Sequence, residues 1–429
     1  MNARVPSLVV AALCTLACGT IGARAVAADK VLIPMDLEQT DHLKAYGIAY
    51  WALTKNIEVD WLLNYRGGSF MMDGNPLLVT ECRVRGVAAQ TIGGGQAAGI
   101  YAEVQRDDNN MDVVRLEKAP RIAVYTPPDA PPWDDAVTLA LAYAGIEYKK
   151  IWDDDVLDTD LSQFDWIHLH HEDFTGQQNK LFLGFRDAPW FIQARDRDLA
   201  TARKHDLGDI PALKKAVADR LRAFVERGGF LFAMCGATET LELAVGAKGV
   251  DIAGPFSDGT PMDPDADAKI QWDRTFAVQG AHLEFAAGVN AMSDIDGHQV
   301  NVPSRRQPLG TFSLFGFSAK FDPVATMLVQ DHRTVIGDYY GVTTSFMRKV
   351  LKPGVTVLAH EEGAPWVKYI HGTYGQGSWT YLGGHDPEDP QHNIGAPPTD
   401  LALHPNSPGY RLILNNVLFP AAKKKPLKT

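Results

Sequence analysis

Apolar and polar positions fall into two regular stretches, one near the start of the chain and one beginning near residue 121. In the first, Lys30 to Met35 is a short apolar run ending at Asp36, as a buried strand reads. Leu43, Tyr46, Ile48, Tyr50, Trp51 and Leu53 then recur at helical spacing around Thr40-Asp41, which predicts a capped helix over 39–55. Val59 to Tyr65 reads as the next strand, closed by Arg66-Gly67-Gly68. This βαβ-like opening loses its regularity toward Lys118, giving an N-terminal α/β segment over 28–118.

The second stretch alternates more clearly. Arg121 to Tyr125 is an apolar strand pattern, followed by a proline-rich break from Pro127-Pro128 to Pro132. A helix is expected over Trp133 to Gly145, with strands over Glu147 to Trp152 and Phe164 to Leu169. The next helix, Leu213 to Arg227, carries Leu221, Phe224 and Val225 on one face and stops at Gly228-Gly229. Phe230 to Met234 is a further strand, and Thr238 to Ala244 opens another helix. From about 249 to 344, glycine, proline and aspartate interrupt every helical period, so this segment reads as a β-rich insertion. Strands resume over Val355 to Ala359, Trp366 to His371 and Ser378 to Leu382, and a helix closes the pattern over Tyr410 to Leu418. Strands alternating with helices predict an α/β fold with a doubly wound, mostly parallel sheet spanning 119–422.

The first 27 residues bear on where the chain works. Arg4 precedes an apolar run from Leu8 to Ala17, and Ala25-Val26-Ala27 presents small residues where a signal peptidase cuts. The run is too short to span a bilayer, so an exported, periplasmic protein cleaved near Ala27 is expected. A lipid anchor on Cys18 is the weaker alternative, because Thr15-Leu16-Ala17 is a poor lipobox. The net charge of −11, more negative still once Arg4 and Arg24 leave, argues against nucleic acid or an anionic membrane surface as partner. Lys423 to Lys428 reads as a solvated basic tail over 423–429. Of the four cysteines, Cys14 and Cys18 leave with the leader. Cys82 and Cys235 are too few for a disulfide framework, though they can pair or leave Cys235 as a reactive thiol.

Two segments carry candidate chemistry. From Gly228-Gly229 to Met234 a buried strand runs into Cys235 and then, through Gly236-Ala237, directly into a helix. A nucleophile on so sharp an elbow needs small neighbours two residues to either side, and Ala233 and Ala237 satisfy that need. The Gly236 N–H would serve a developing oxyanion, and the helix N-terminus would favour the thiolate. The plainer reading is a buried structural cysteine at a strand end. From Tyr374 to Glu388, a strand ends in Gly383-Gly384 and then presents His385, Asp386 and Glu388. Catalytic groups collect at the carboxyl ends of parallel strands, and a carboxylate beside His385 would fix its tautomer as a base. A polar surface loop is the alternative there.

Together the two segments resemble the class I glutamine amidotransferase superfamily, which places a cysteine on a strand-to-helix elbow and His-Pro-Glu after a late strand introduced by Gly-x-Gly. The resemblance covers roughly residues 121–420 outside the insertion. It implies a flavodoxin-like, glutamine-amidotransferase-like sheet with Cys235 as nucleophile, His385 as base and Glu388 as the acid orienting it. Gly375, Gly377 and Gly384-His385-Asp386 also look like the ThuA-like (trehalose-utilisation) branch, which shares the fold without that triad. The whole chain further resembles an exported family often labelled asparagine synthetase B. Here the elbow reads Ala-Met-Cys-Gly-Ala, not Gly-x-Cys-x-Gly, and Asp386 separates His385 from Pro387-Glu388. The chain has no mature N-terminal cysteine and no Ser-Gly-Gly-x-Asp-Ser loop to activate a carboxylate with ATP, so the synthetase label finds no chemical support.

Where such amidotransferases carry a Gly-Gly oxyanion loop, this chain has His168-Leu169-His170-His171-Glu172-Asp173. Strand alternation puts His168 and His170 on one face and His171 on the other. His170, His171 and Glu172 are expected as pocket wall. His168, His170, His171 and Asp386 form a secondary, open metal-ligand set, weighed against a polar rim that holds no ion. Gly93-x-Gly95-x-x-Ala98 with Glu117 imitates a dinucleotide fingerprint, but it sits between α/β segments and reads as a glycine-rich turn. No cofactor is therefore expected. Two function classes follow. The first is a periplasmic cysteine-dependent hydrolase or amidase acting on a C–N bond of a small-molecule substrate, in which Cys235 attacks, His385 moves the proton and Glu388 or Asp386 holds His385. The second is a ThuA-like ligand-binding or metal-dependent protein using the same sheet edge without a covalent intermediate. A Cys235 within hydrogen-bond reach of His385 supports the first, and a buried one counts against it.

Overall fold

The computed structural model describes residues 29–131, 135–177, 184–286, 290–296, 310–331, 333–339, 341, 343–389 and 397–423. The expected leader and the basic residues 424–429 lie outside them, as do residues 132–134 at the start of one expected helix. The protein is α/β, with both antiparallel and parallel strand pairing.

β1 (Lys30–Ile33), β2 (Val59–Leu63), β3 (Ser69–Asp73), β4 (Gln90–Ile92) and β5 (Asp112–Leu116) form the first sheet, in the order β4-β1-β3-β2-β5. Helix His42–Thr54 joins β1 to β2 and helix Pro76–Arg85 joins β3 to β4. This is a split βαβ arrangement. β3 lies between β1 and β2 and runs antiparallel to both. The first helix starts where the sequence places its cap: the Asp41 carboxylate accepts the Lys44 N–H at 2.9 Å. Period and caps give the elements but not their pairing: β1 and β2, expected as successive strands, are not neighbours. The glycine-rich segment expected as a turn instead opens a helix, Gly94–Val104, with Gly93 at its cap. β4, which precedes it, pairs with β1, and β5, which follows it, pairs with β2, so the helix does not join the neighbouring parallel strands of a dinucleotide-binding unit.

β6 (Ile122–Tyr125), β7 (Lys149–Ile151), β8 (Trp166–Leu169) and β9 (Phe230–Met234) enter the second sheet. β10 (Leu283–Ala286) and β11 (Asn290–Ser293) pair with each other. β12 (Thr311–Leu314), β13 (Val335–Gly337), β14 (Phe346–Met347), β15 (Thr356–His360), β16 (Trp366–Tyr374) and β17 (Gly377–Leu382) complete the second sheet. Its order is β13-β12-β15-β16-β17-β9-β8-β6-β7, with β14 paired to β16. β7, β6, β8, β9 and β17 are parallel neighbours, and the other pairs are antiparallel. The sheet is mixed, not mostly parallel, because β16 and β17 form a hairpin across Gly375-Gln376 and reverse the direction there. Within the 249–344 segment, β12 and β13 extend the edge of this sheet and bury Phe312 and Ile336.

Helix Ile210–Glu226 begins earlier than its apolar period suggests. Pro211 suits a first turn, and the Asp209 carboxylate caps the Ala212 N–H at 2.7 Å. Helix Pro408–Leu418 is buried from Gly409 to Leu418. It shares one apolar core with Val31 and Phe70 of the first sheet and Phe232 and Tyr369 of the second.

Candidate functional site

The five parallel strands deliver their ends to one rim. Tyr125 ends β6, Trp152-Asp153 follow β7, His170 follows β8, Cys235 follows β9 and Gly383-Gly384-His385 follow β17. Backbone bonds tie three of these ends together. The Cys235 N–H donates to the Gly384 carbonyl at 3.1 Å, and the Ala237 N–H donates to the His170 carbonyl at 3.0 Å. Gly384 has φ +89°, and a β-carbon on it would meet Tyr339 Cβ at 2.4 Å. Chain from the end of the 249–344 segment therefore packs directly over the rim.

Cys235 is where the backbone is strained. Helix Cys235–Gly246 begins at the cysteine itself, not at Thr238 as the apolar period suggests, and Cys235 has φ +49°. A left-handed conformation costs a non-glycine residue about 1–2 kcal/mol, and the small side chains of Ala233 and Ala237, both fully buried, let the turn close. The Gly236 N–H lies in the first turn, where no carbonyl of the helix can reach it. The Cys235 side chain itself is buried, at 2% exposure. Its sulfur and the His385 backbone both crowd Gly341: a β-carbon there would lie 3.3 Å from Sγ and 2.9 Å from the His385 nitrogen. No disulfide joins Cys235 to Cys82, and burial pushes the Cys82 thiol up to about 11.

The histidines form the centre of the rim. His170, His171 and His385 offer nitrogens that all lie within 4.8 Å of one another. The His170 and His385 rings meet edge to face at 4.2 Å between centroids, and His171 stacks on His385 at 5.6 Å. Alternation would have sent His170 and His171 to opposite faces. It does not, because β8 ends at Leu169 and the chain turns at His170. His168 remains in the strand, behind the cluster. Its Nδ1 faces the Phe232 carbonyl at 2.9 Å, and its Nε2 faces His170 Nδ1 at 3.0 Å. Burial pulls the His168 ring down to about 4, so it is neutral at physiological pH. Glu172 is buried, its carboxyl pushed up to about 7 by burial. One of its oxygens accepts the His170 N–H at 3.1 Å, and the other has no hydrogen-bond partner among the described residues.

The two carboxylates expected to orient His385 are engaged elsewhere. Asp386 accepts the Glu388 N–H at 2.9 Å and the Thr399 hydroxyl at 3.0 Å, and it lies beside the Tyr410 hydroxyl. Burial raises its carboxyl. Glu388 pairs with His404 at 3.3 Å. The extra residue in His-Asp-Pro-Glu explains this: Asp386 takes the inward position and closes a local turn on the Glu388 N–H, which carries the Glu388 side chain outward. Asp386 therefore buttresses the loop and does not join the histidine set.

Sequence reasoning missed two neighbours of the site. Asp135 caps helix Ala136–Ala144 through the Thr138 N–H at 2.6 Å and approaches His168 and His170; it follows the proline-rich break, where no period marked it. Lys214, on helix Ile210–Glu226, reaches both oxygens of Asp153 at 2.7 and 3.0 Å and the Tyr125 hydroxyl at 3.2 Å. A lysine interrupting an apolar helix face was the one signal available. Burial depresses the Lys214 ammonium, but Asp153 and Asp198 more than offset it, so the ammonium is held above its ordinary value. At the opposite, amino end of the strands lies a cavity of about 1250 Å³ walled by Phe164, Phe230, Phe315 and Phe419.

Neither a family model nor a curated protein matches the chain. Among solved structures it is similar to cytoplasmic protein STM3548 from Salmonella typhimurium, at 11% identity and TM-score 0.34, over 71% of this chain and 100% of that one. Cytoplasmic protein STM1381 from Salmonella typhimurium LT2 aligns at 13% identity and TM-score 0.32, also over 71% and 100%. A GH42 β-galactosidase, Gan42B from G. stearothermophilus, was solved as a catalytic mutant and aligns at 9% identity and TM-score 0.28, over 63% of this chain and 28% of that one.

Proposed function

We propose that the carboxyl rim binds and transforms a small polar molecule through its histidines, without a cysteine-bound intermediate. One observation carries the reading: His170, His171 and His385 bring ring nitrogens within 4.8 Å of one another, while the Cys235 side chain is only 2% exposed. Numbered in chain order, the five parallel strands run 2-1-3-4-5. That order supports a doubly wound, flavodoxin-like core of the kind the ThuA-like branch shares with glutamine amidotransferases, and such sheets bind ligands where the order reverses. Here the reversal falls between β6 and β8, beside His168 and His170. An exported chain would meet such a substrate in the periplasm.

The test screens wild type, Cys235→Ala, His170→Ala and His385→Ala against amide, glutamine and sugar libraries. The expected result is binding or turnover retained in Cys235→Ala and lost in both histidine variants. Loss confined to Cys235→Ala would overturn the reading.

A second reading is favoured by the φ of +49° at Cys235, the strain that a nucleophile elbow carries. It is a cysteine-dependent hydrolase or amidase cleaving a C–N bond, with His385 as the base. It requires a thiol that iodoacetamide reaches in the native protein. Alkylation only after unfolding removes it.

A further inference from the structure

We infer that His170, His171 and His385 hold a divalent transition-metal ion, zinc by preference, and that His168 is the positioning residue behind them. The inference deepens the histidine-centred reading above and rests on it for the site's use, but not for the binding itself.

The geometry is close to what an ion needs. Zinc–imidazole bonds of about 2.0–2.1 Å place two ligand nitrogens no more than about 4.2 Å apart, and the three nitrogens here lie within 4.8 Å. A tetrahedral ion needs them about 3.4 Å apart, so ring rotations that move each pair by up to about 1.5 Å close the set. Three imidazoles with no carboxylate suit zinc, copper or nickel and disfavour magnesium or calcium. Three protein ligands also leave a coordination position open, as sites that act on a bound molecule do. His171 is only partly buried and provides the exposed side.

The hydrogen bonds behind His170 strengthen the case. A carbonyl can only accept, so the hydrogen between His168 and Phe232 O sits on His168 Nδ1. In the neutral ring, His168 Nε2 is then an acceptor, and the hydrogen it shares at 3.0 Å belongs to His170 Nδ1. His170 Nε2 is left with its lone pair. A ligating histidine that donates its other N–H to a fixed acceptor is the usual outer-shell arrangement. The His170 backbone is held as well, its N–H by Glu172 and its carbonyl by Ala237. One residue is thus fixed from three directions.

The two competing clusters are weaker. In Asp135, His168 and His170 the two imidazoles already bond each other. In Asp154, Asp158 and His205 the Lys204 ammonium sits on both carboxylates, at 2.9 and 2.8 Å.

The experiment uses full-length protein stripped with chelator and titrated with zinc by calorimetry and with cobalt by visible absorption, circular dichroism confirming each variant's fold. One ion per chain is expected. His385→Ala and His170→Ala should weaken binding by on the order of 100-fold or more, while Cys235→Ala leaves it unchanged. His168→Phe should lower affinity about 10–100-fold and shift the cobalt bands without moving the stoichiometry, a change that a purely structural residue would not produce. Absence of a stoichiometric ion, or its retention in a folded His385→Ala, overturns the inference. Metal binding without any ligand found in the library screen sinks the proposed function and leaves this inference standing. Histidine-dependent turnover that chelator does not touch, in protein that takes up no ion, does the reverse.

Discussion

The two ends of the five parallel strands handle charge in opposite ways. At the carboxyl end, Asp153 is fully buried and the Lys214 side chain is 6% exposed, and their partners Tyr125 and Asp198 are buried with them. At the amino end, Lys118 and Arg121 are more than half exposed where they meet Asp165. The amino end also holds the aromatic-walled cavity of about 1250 Å³. The cavity thus lies where ionisable groups are solvated, whereas the ion pair of the carboxyl end lies where the packing is dry. In water an ion pair is screened and weak, whereas in a dry rim each group depends on its partner.

The largest effect that separates the two ends is expected at Lys214. Lys214→Met leaves Asp153 buried without its cation, and breaking a buried pair from one side costs about 3–5 kcal/mol. Urea denaturation of wild type and variant measures it. A loss below about 1 kcal/mol would mean that water reaches this end as it reaches the other.

Acid and base should then distinguish two groups that face this sheet. Burial pushes the Glu242 carboxyl up to about 7, although the Phe276 and Ala277 N–H groups and the Tyr381 hydroxyl bond it. A raised carboxyl means that the folded state binds the extra proton. Its stabilising contribution is full below pH 4.5 and is lost as pH rises from there to about 7. His371, beside the amino-end cavity, is pulled down to about 4 by burial. Its contribution is full above pH 6.5 and is lost as pH falls toward 4. Each amounts to on the order of 3 kcal/mol. Thermal melts should thus show a broad optimum near pH 5–6.5. Glu242→Gln should flatten the alkaline side alone, and His371→Gln the acid side alone. Equal changes on both sides would show that the two groups titrate as one system.

A smaller effect tests the strained elbow. At φ +49°, Cys235→Gly relieves about 1–2 kcal/mol of strain while losing a small buried side chain, so stability should stay within about 1 kcal/mol of wild type. Cys235→Val adds a β-branched residue at the same φ and should cost more than 2 kcal/mol, by roughly that strain plus overpacking. Equal stability of the two variants would indicate that the turn relaxes when the cysteine is replaced.

How much of this was legible in the sequence depends on which kind of signal each element carries. Strand ends were readable because apolar runs stop at polar residues, and that placed Cys235, His170 and His385 on one rim before any coordinates. Pairing was not readable: nothing in residues 30–73 tells that β3 inserts between β1 and β2. Helix Pro189–Lys204 went unseen because it buries only Phe191, Asp198, Thr201 and Ala202, a stripe too thin and too polar to set a period. The carboxylates make local contacts that motif spacing does not carry. Motif spacing assigned Glu388 to His385, but an Asp386 side chain closing a turn on the next residues redirects that carboxylate, and spacing does not encode such turns.

The smallest predicted effect lies at the amino end and completes the contrast with Lys214. Burial alone would raise the Asp165 carboxyl, but hydrogen bonds from the Arg121 side chain and backbone and from Lys118 hold it well below the usual carboxylate range. The Arg121 guanidinium makes two contacts with it, at 2.9 and 3.0 Å, yet it is 55% exposed, so solvent screens most of the attraction. Arg121→Ala should cost no more than about 1 kcal/mol, because the Arg121 N–H, which bonds Asp165 at 2.9 Å, survives the substitution. A depressed carboxyl stabilises the fold only while ionised, so this contribution is present above about pH 4 and fades as pH falls through the depressed value. It should also shrink in molar salt, which leaves buried pairs largely alone. Measured side by side, the Arg121→Ala loss should fall with salt and the Lys214→Met loss should not. If both fall together, the two ends are equally wet and the contrast between them fails.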